Sequence, residues 1–108
     1  MLLNSDLWVG ALIRRAQIEG ANATVVRRGD ARAGTVIVKA YNTSERTAQV
    51  FTEAFGQDGD RLWIQPVQGN ESEIDAFIER QRGYDPDLWV VEIEDRQGRN
   101  FIVEKIQV

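Results

Sequence analysis

Cysteine and histidine are both missing from these 108 residues. Without a thiol there is no disulfide, no thiolate nucleophile and no iron–sulfur ligand. Without an imidazole there is no Ser-His-Asp or Cys-His relay, and zinc sites of the Cys/His type are excluded. Proline occurs only twice and methionine once. Long apolar runs are also lacking. Met1-Leu2-Leu3 has no basic leader, and Arg14 and Arg15 interrupt the one N-terminal candidate. The expectation is therefore a cytoplasmic chain with no signal peptide, no membrane span and no cofactor. The polar chemistry that remains belongs to carboxylates, arginine, lysine, tyrosine and hydroxyls.

What is present suffices for one core. Hydrophobic residues make up 43%, with three Trp and four Phe, and the length predicts a single domain over 1–108. Charge is uneven. Residues 1–54 carry seven Lys/Arg against five Asp/Glu, a balance of +2; residues 55–108 carry six against twelve, or −6, which makes the total of −4. An acidic chain is poorly suited to nucleic acid, where Lys and Arg contacts to phosphate dominate affinity.

The pattern along the chain predicts elements in the order α-β-β-β-β-α-β-β. Residues 5–19 read as a helix, capped by Asn4 or Ser5, with a stripe of Leu7, Trp8, Ala11, Leu12 and Ile18, and stopped by Gly20. Residues 23–28 form a short β-branched strand, 29–34 a loop, and 35–41 a nearly all-apolar strand that belongs in the middle of a sheet. After a turn at 42–45, residues 46–55 alternate as a third strand, with Val50 on one side and Phe51 and Phe55 on the other. An exposed loop at 56–60 leads to a short strand at Leu62-Trp63-Ile64, which Pro66 confines to an edge or ends. Asn70-Glu71-Ser72-Glu73 has the form of a capping box. It opens a helix that buries Ile74, Phe77 and Ile78 and stops at Gly83.

The densest stretch is 84–103. Asp95-Arg96-Gln97-Gly98 has type I turn chemistry with Gly98 left-handed, and predicts a hairpin pairing Ile93 with Phe101, Val91 with Val103 and Trp89 with Lys105. With short connections elsewhere, this predicts an α+β domain: an antiparallel sheet of about five to six strands, with both helices on one face.

Three stretches carry a resemblance: Ser5-Asp6-Leu7-Trp8-Val9 with Arg14-Arg15; Val26-Arg27-Arg28-Gly29-Asp30 with Gly34; and Arg80-Gln81-Arg82 through Tyr84-Asp85-Pro86-Asp87-Leu88-Trp89-Val90-Val91-Glu92-Ile93-Glu94-Asp95-Arg96. Together, over nearly the whole chain, the sequence resembles the alphaproteobacterial family catalogued as domain of unknown function 1491. That family has no assigned activity, cofactor or catalytic residue. The resemblance implies a cytoplasmic single-domain protein and transfers no site.

Three constellations remain as candidates. Arg27, Arg28, Asp30 and Arg32, with Gly29 and Gly34, could present guanidinium forks to a phosphate or carboxylate. The bland alternative is a solvated β-hairpin loop, and no Gly-Lys-Ser/Thr completes a P-loop. Glu92 and Glu94 project from one strand face and could hold Mg²⁺ with a neighbour, as in a carboxylate-dependent hydrolase or nuclease, although no Glu-x-Lys follows. Against that stands a solvated face salt-bridged to Arg80, Arg82, Arg96 and Arg99. Trp8, Trp89 and Phe101 read as core rather than as base-stacking platforms. The favoured reading is a non-catalytic binding or protein-interaction domain, with a protein partner or a homo-oligomer. The alternatives are the Mg²⁺-dependent hydrolase and RNA binding through Arg14, Arg15, Arg27, Arg28 and Arg32.

Overall fold

A computed structural model describes residues 4–55 and 61–107, excluding the side chains of Phe55 and Arg61. The elements are α1 (Ser5–Ile18), β1 (Asn22–Arg27), β2 (Val36–Asn42), β3 (Thr47–Phe55), β4 (Arg61–Ile64), α2 (Glu71–Tyr84), β5 (Trp89–Asp95) and β6 (Ile106–Gln107). Their order is the expected one, and the class is α+β. The loop expected at 56–60 lies outside the described residues.

The sheet, however, is mixed rather than antiparallel. Its strand order is β1-β5-β2-β3-β4-β6. β5 runs antiparallel to β1 and parallel to β2, and β6 runs parallel to β4. The hairpin expected over 84–103 does not form. Both edges of β5 are taken by β1 and β2, with Val91 opposite Val25 on one side and Val38 on the other. Its turn is real: the Gly98 N–H donates to the Asp95 carbonyl at 3.1 Å, with Gly98 at φ +71°. Beyond it the chain leaves the sheet, and Phe101 takes a left-handed φ of +61°, which a strand cannot include. By the same insertion, loop 29–34 does not join neighbouring strands.

Nor do the helices share a face. Trp8, Val9, Leu12 and Ala16 of α1 pack on Val36, Val38, Phe51, Trp63, Trp89 and Val91. Ile74 and Ile78 of α2 pack on the opposite side, with Ile37, Val50, Leu88 and Val90. Alternation along β2 and β5 explains this, since successive residues feed opposite cores. The stripe of α1 is turned from the expected one. Leu7 and Ile18 are exposed, and Ser5, Val9 and Ala16 are buried in their place. α1 has no side-chain cap from Asn4. α2 has the capping box: Asn70 Oδ1 accepts the Glu73 N–H at 2.9 Å, and Glu73 Oε1 accepts the Asn70 N–H at 3.3 Å. It continues one residue past Gly83.

Trp63 is completely buried. Its ring stacks on Trp8 at 4.8 Å between centroids. Trp8 Nε1–H donates to Glu104 Oε2 at 2.8 Å, which ties the C-terminal segment across α1. Among the described residues no helix is long and apolar enough to cross a membrane.

Candidate functional site

The two ends of β5 hold most of the chain's distinctive polar residues. At its amino end, Arg27 spends its fork on backbone. Nη1 donates to the carbonyls of Asp85 and Leu88 at 2.9 and 3.2 Å, and Nη2 to that of Pro86 at 3.0 Å. Asp30 is equally occupied. Its N–H donates to the Asp87 carbonyl at 3.0 Å, and its carboxylate accepts the N–H groups of Arg32 and Ala33. The Asp30 carbonyl accepts Trp89 Nε1–H at 2.7 Å. Arg28 lies over the Trp89 ring, 5.1 Å from its centroid, a cation–π distance. Gly29 and Gly34 both back onto the Asp87 carbonyl, with no space for a Cβ. The loop also closes the N-terminus of α1: the N–H groups of Ser5 and Asp6 donate to the carbonyls of Arg32 and Ala31, and Ser5 Oγ donates to the Gly34 carbonyl.

Thus the structure brings Arg27, Arg28 and Asp30 together, around the turn at 85–88 and the Trp89 ring. The side chain of Arg32 is exposed there. Arg15 is engaged elsewhere: it donates from Nε and Nη2 to the Phe101 carbonyl at 3.2 and 3.0 Å.

Glu92 sits on the α2 face beside Lys39, its register partner in the parallel pair. Lys39 is buried, and its Nζ lies 2.7 Å from Asp75, 2.8 Å from Glu71 and 3.3 Å from Glu92. Burial works to lower the Lys39 pKa. The hydrogen bonds to Asp75, Glu71 and Glu92 outweigh it and hold the ammonium form above the ordinary lysine range. The ammonium fills the centre that a cation would occupy. Among the described residues no group of three or more acids is placed to hold a metal ion. Glu94 is exposed and does not join this cluster; it runs to the carboxyl end of the strand. Lys39 escaped the sequence reading, yet it had a signal. A lysine inside Val36-Ile37-Val38-Lys39-Ala40, on a strand read as central, needs carboxylate partners.

The carboxyl ends of β2 and β5 open into a groove of about 740 Å³, lined by Glu19, Thr43, Ser44, Glu94, Arg96 and Arg99 among others. Asp95 forms its back wall and is 5% exposed. Its Oδ2 accepts Arg99 Nε–H and its Oδ1 accepts Nη2–H, both at 2.9 Å, and Oδ2 also accepts the N–H groups of Arg99 and Gln97. The Arg99 guanidinium, working against burial, holds the Asp95 carboxyl down to about 2. Arg99 Nη2 also donates to the Glu19 carbonyl at 3.3 Å, and its Cζ lies 4.9 Å from the Phe101 ring centroid. Nη1 meets Glu19 Oε1 at 3.5 Å. The sequence showed Asp95 and Gly98 as a turn. It did not show the groove, whose walls come from three segments far apart in the chain.

Comparison with known proteins gives a family and a fold. The family model described as "Protein of unknown function (DUF1491)" matches residues 3–103. The crystal structure of a DUF1491 family protein from Caulobacter crescentus CB15 is 56% identical, covers 98% of this chain and 100% of that one, and superposes with a TM-score of 0.95. An NMR structure of a DUF1491 family protein from the same organism is also 56% identical, with 100% and 99% coverage and a TM-score of 0.94. A solution structure of a protein from A. tumefaciens is 30% identical, with 100% and 98% coverage and a TM-score of 0.82. No curated protein matches the chain.

Proposed function

We propose, from the premise that this chain belongs to the DUF1491 family of proteins of unknown function, that it is a small non-catalytic binding domain of the cytoplasm, and that it binds through the groove at the carboxyl ends of β2 and β5. One observation carries this reading. The groove is a wide polar concavity where the two parallel central strands end, the place at which α/β sheets receive ligands. Its rim offers hydroxyls at Thr43 and Ser44 and opposite charges at Glu94 and Arg96. The other polar clusters are internally matched: Arg27 by carbonyls, Lys39 by carboxylates.

Amide NMR spectra recorded against pools of small polar metabolites test it. The expected result is that some pools shift Thr43, Ser44, Arg96 and Gln97. Pools that shift only amides elsewhere, or none at all, remove the groove from consideration.

A second reading, self-association, rests on a separate apolar patch. Ile18 and Val103 are 73% and 70% exposed, beside a groove of about 300 Å³ that they line with Phe101 and Ile102. Such patches mark contact surfaces when they are contiguous. A monomer mass by light scattering across the accessible concentration range removes this reading.

A further inference from the structure

The two edges of the sheet are finished differently. At one edge, β6 is only two residues long. At the other, β1 runs for six residues, Asn22-Ala23-Thr24-Val25-Val26-Arg27, with neither proline nor lysine. Among the described residues its outer edge pairs with no strand. Natural sheets shorten, cover or charge such edges, because a row of free N–H and C=O groups templates another strand. The register shift between Val25 and Arg27 bends β1 there and leaves residues 22–25 as its regular part.

β1 is uncovered on the α2 side as well. Ile74 and Ile78 pack with Ile37, Val50 and Val90 of β2, β3 and β5, while Thr24 and Val26 stay exposed. Between α2 and β1 lies a groove of about 260 Å³ with Val26, Ile78 and Val90 on its walls. That is below the roughly 300–1,000 Å³ of pockets for small molecules. Its outer wall, Val26, is 50% exposed and belongs to the edge strand itself. Such a space suits one side chain of an adjoining strand.

Charge is unbalanced in the same place. Lys39 is matched, but its partners are not: Glu71, Asp75 and Glu92 share one ammonium. With Glu79 and its partner Arg82, four carboxylates stand against two cations, a balance of −2. The acids gather beside Thr24, the register partner of Glu92. Arg27 lies at the other end of the strand, past Val26. A strand laid on β1 sits two strand spacings, about 10 Å, from β5. Only a long side chain reaches Glu92 across that gap.

We propose that β1 takes up an extended segment of a partner protein as an additional strand, with an arginine or lysine of that segment over Thr24, directed to Glu92 and Asp75, and an apolar side chain two residues away beside Val26 in the groove. In such complexes backbone pairing supplies affinity and alternate side chains supply selectivity. A second copy of this chain does not meet the requirement. Its β1 presents Asn22, Thr24 and Val26 on that face, none of them basic. Two edge strands related by a two-fold axis also run antiparallel with their α2 faces on the same side, so acids would meet acids. This surface is separate from the groove at the carboxyl ends of β2 and β5, and either can fail without the other.

The test titrates the full chain with acetylated, amidated heptapeptides: Thr-Val-Arg-Val-Leu-Val-Thr, the reverse order Thr-Val-Leu-Val-Arg-Val-Thr, and both with Glu or Ser in place of Arg. Amide NMR and hydrogen exchange are the readouts. At millimolar concentration an Arg peptide is expected to shift the β1 amides and to protect alternate ones, since an added strand takes every second N–H. The Glu peptides should bind at least about tenfold more weakly, with the Ser peptides between. Thr24→Lys supplies the cation in cis from an exposed position and should abolish binding, with retained amide dispersion showing that the chain remains folded. Glu92→Gln leaves Lys39 with Asp75 and Glu71; it should weaken the Arg peptides about fivefold and leave the Ser peptides unchanged. Equal binding of Arg and Glu peptides overturns the proposal, as does the failure of both Arg peptides to protect β1. A dimer mass by light scattering, with β1 amides protected before any peptide is added, also overturns it and makes a second copy the occupant.

Discussion

The two ends of β5 use arginine in opposite ways. At the amino end, Arg27 distributes its donors over three backbone carbonyls of the turn at 85–88. Beside it, Gly29 and Gly34 back onto the Asp87 carbonyl with no space for a Cβ. At the carboxyl end, Arg99 is gripped by Asp95 and by the Glu19 carbonyl, and its Nη1 meets the exposed Glu19 carboxylate at 3.5 Å, on the wall of an open groove. The first arrangement closes a loop; the second lines a groove. Charge and residue type are the same, and only the geometry of the acceptors separates the two. Conspicuous motifs such as Arg27-Arg28-Gly29-Asp30 can therefore be structural, while a less conspicuous turn residue lines the concavity.

Substitutions at the two ends break or sharpen this contrast. The largest effect is expected at the closed end. Gly29→Ala places a methyl against the Asp87 carbonyl and the Trp89 ring, and chemical denaturation should show a loss of about 3 kcal/mol. Arg27→Ala leaves three carbonyls without their charged donor and should cost about 2 kcal/mol by the same measurement. At the open end, Asp95→Asn removes the carboxylate that holds Arg99. The folded-state value of about 2 lies below the ordinary 3.8. The group thus contributes stability that is present above pH about 4 and lost as pH falls towards about 2, on the order of 2 kcal/mol. Melting temperatures of the wild type and Asp95→Asn should accordingly converge over that acid range. A gap that stays constant would mean that Asp95 does not hold Arg99 by charge. The smallest effect belongs to the rim: Ser44→Ala should leave stability within about 0.5 kcal/mol, in contrast to every change at the closed end.

Local signals were legible in the sequence. The capping box at Asn70 and Glu73, the stop at Gly20 with φ +90°, and the turn at Asp95–Gly98 all lie within a few residues of the atoms they bind. Strand order was not legible. A turn residue pair predicts that two strands meet, and only the competition for the edges of β5 decides that they do not. The face of α1 was ambiguous for a related reason: Leu7 and Val9 flank Trp8, and which of them is buried depends on the rotation of the helix against a sheet that the local pattern does not specify. At the candidate site, the carboxylates and arginines were visible as residue types. Their partners were not. Backbone carbonyls, which occupy Arg27 and Arg15, have no letter in the sequence, and Glu19, Ser44 and Arg99 are joined only by the fold.

The placement of β5 between β1 and β2 also bears on how the chain assembles. β1 and β2 are synthesised early, yet they are not neighbours in the sheet, and the strand that joins them comes more than half a chain later for Val25, which waits for Val91. Closing loops of that length costs entropy before any pairing repays it. A growing polypeptide has β2, β3 and β4 available to pair in sequence, while β1 stays outside the sheet until β5, its keystone, arrives.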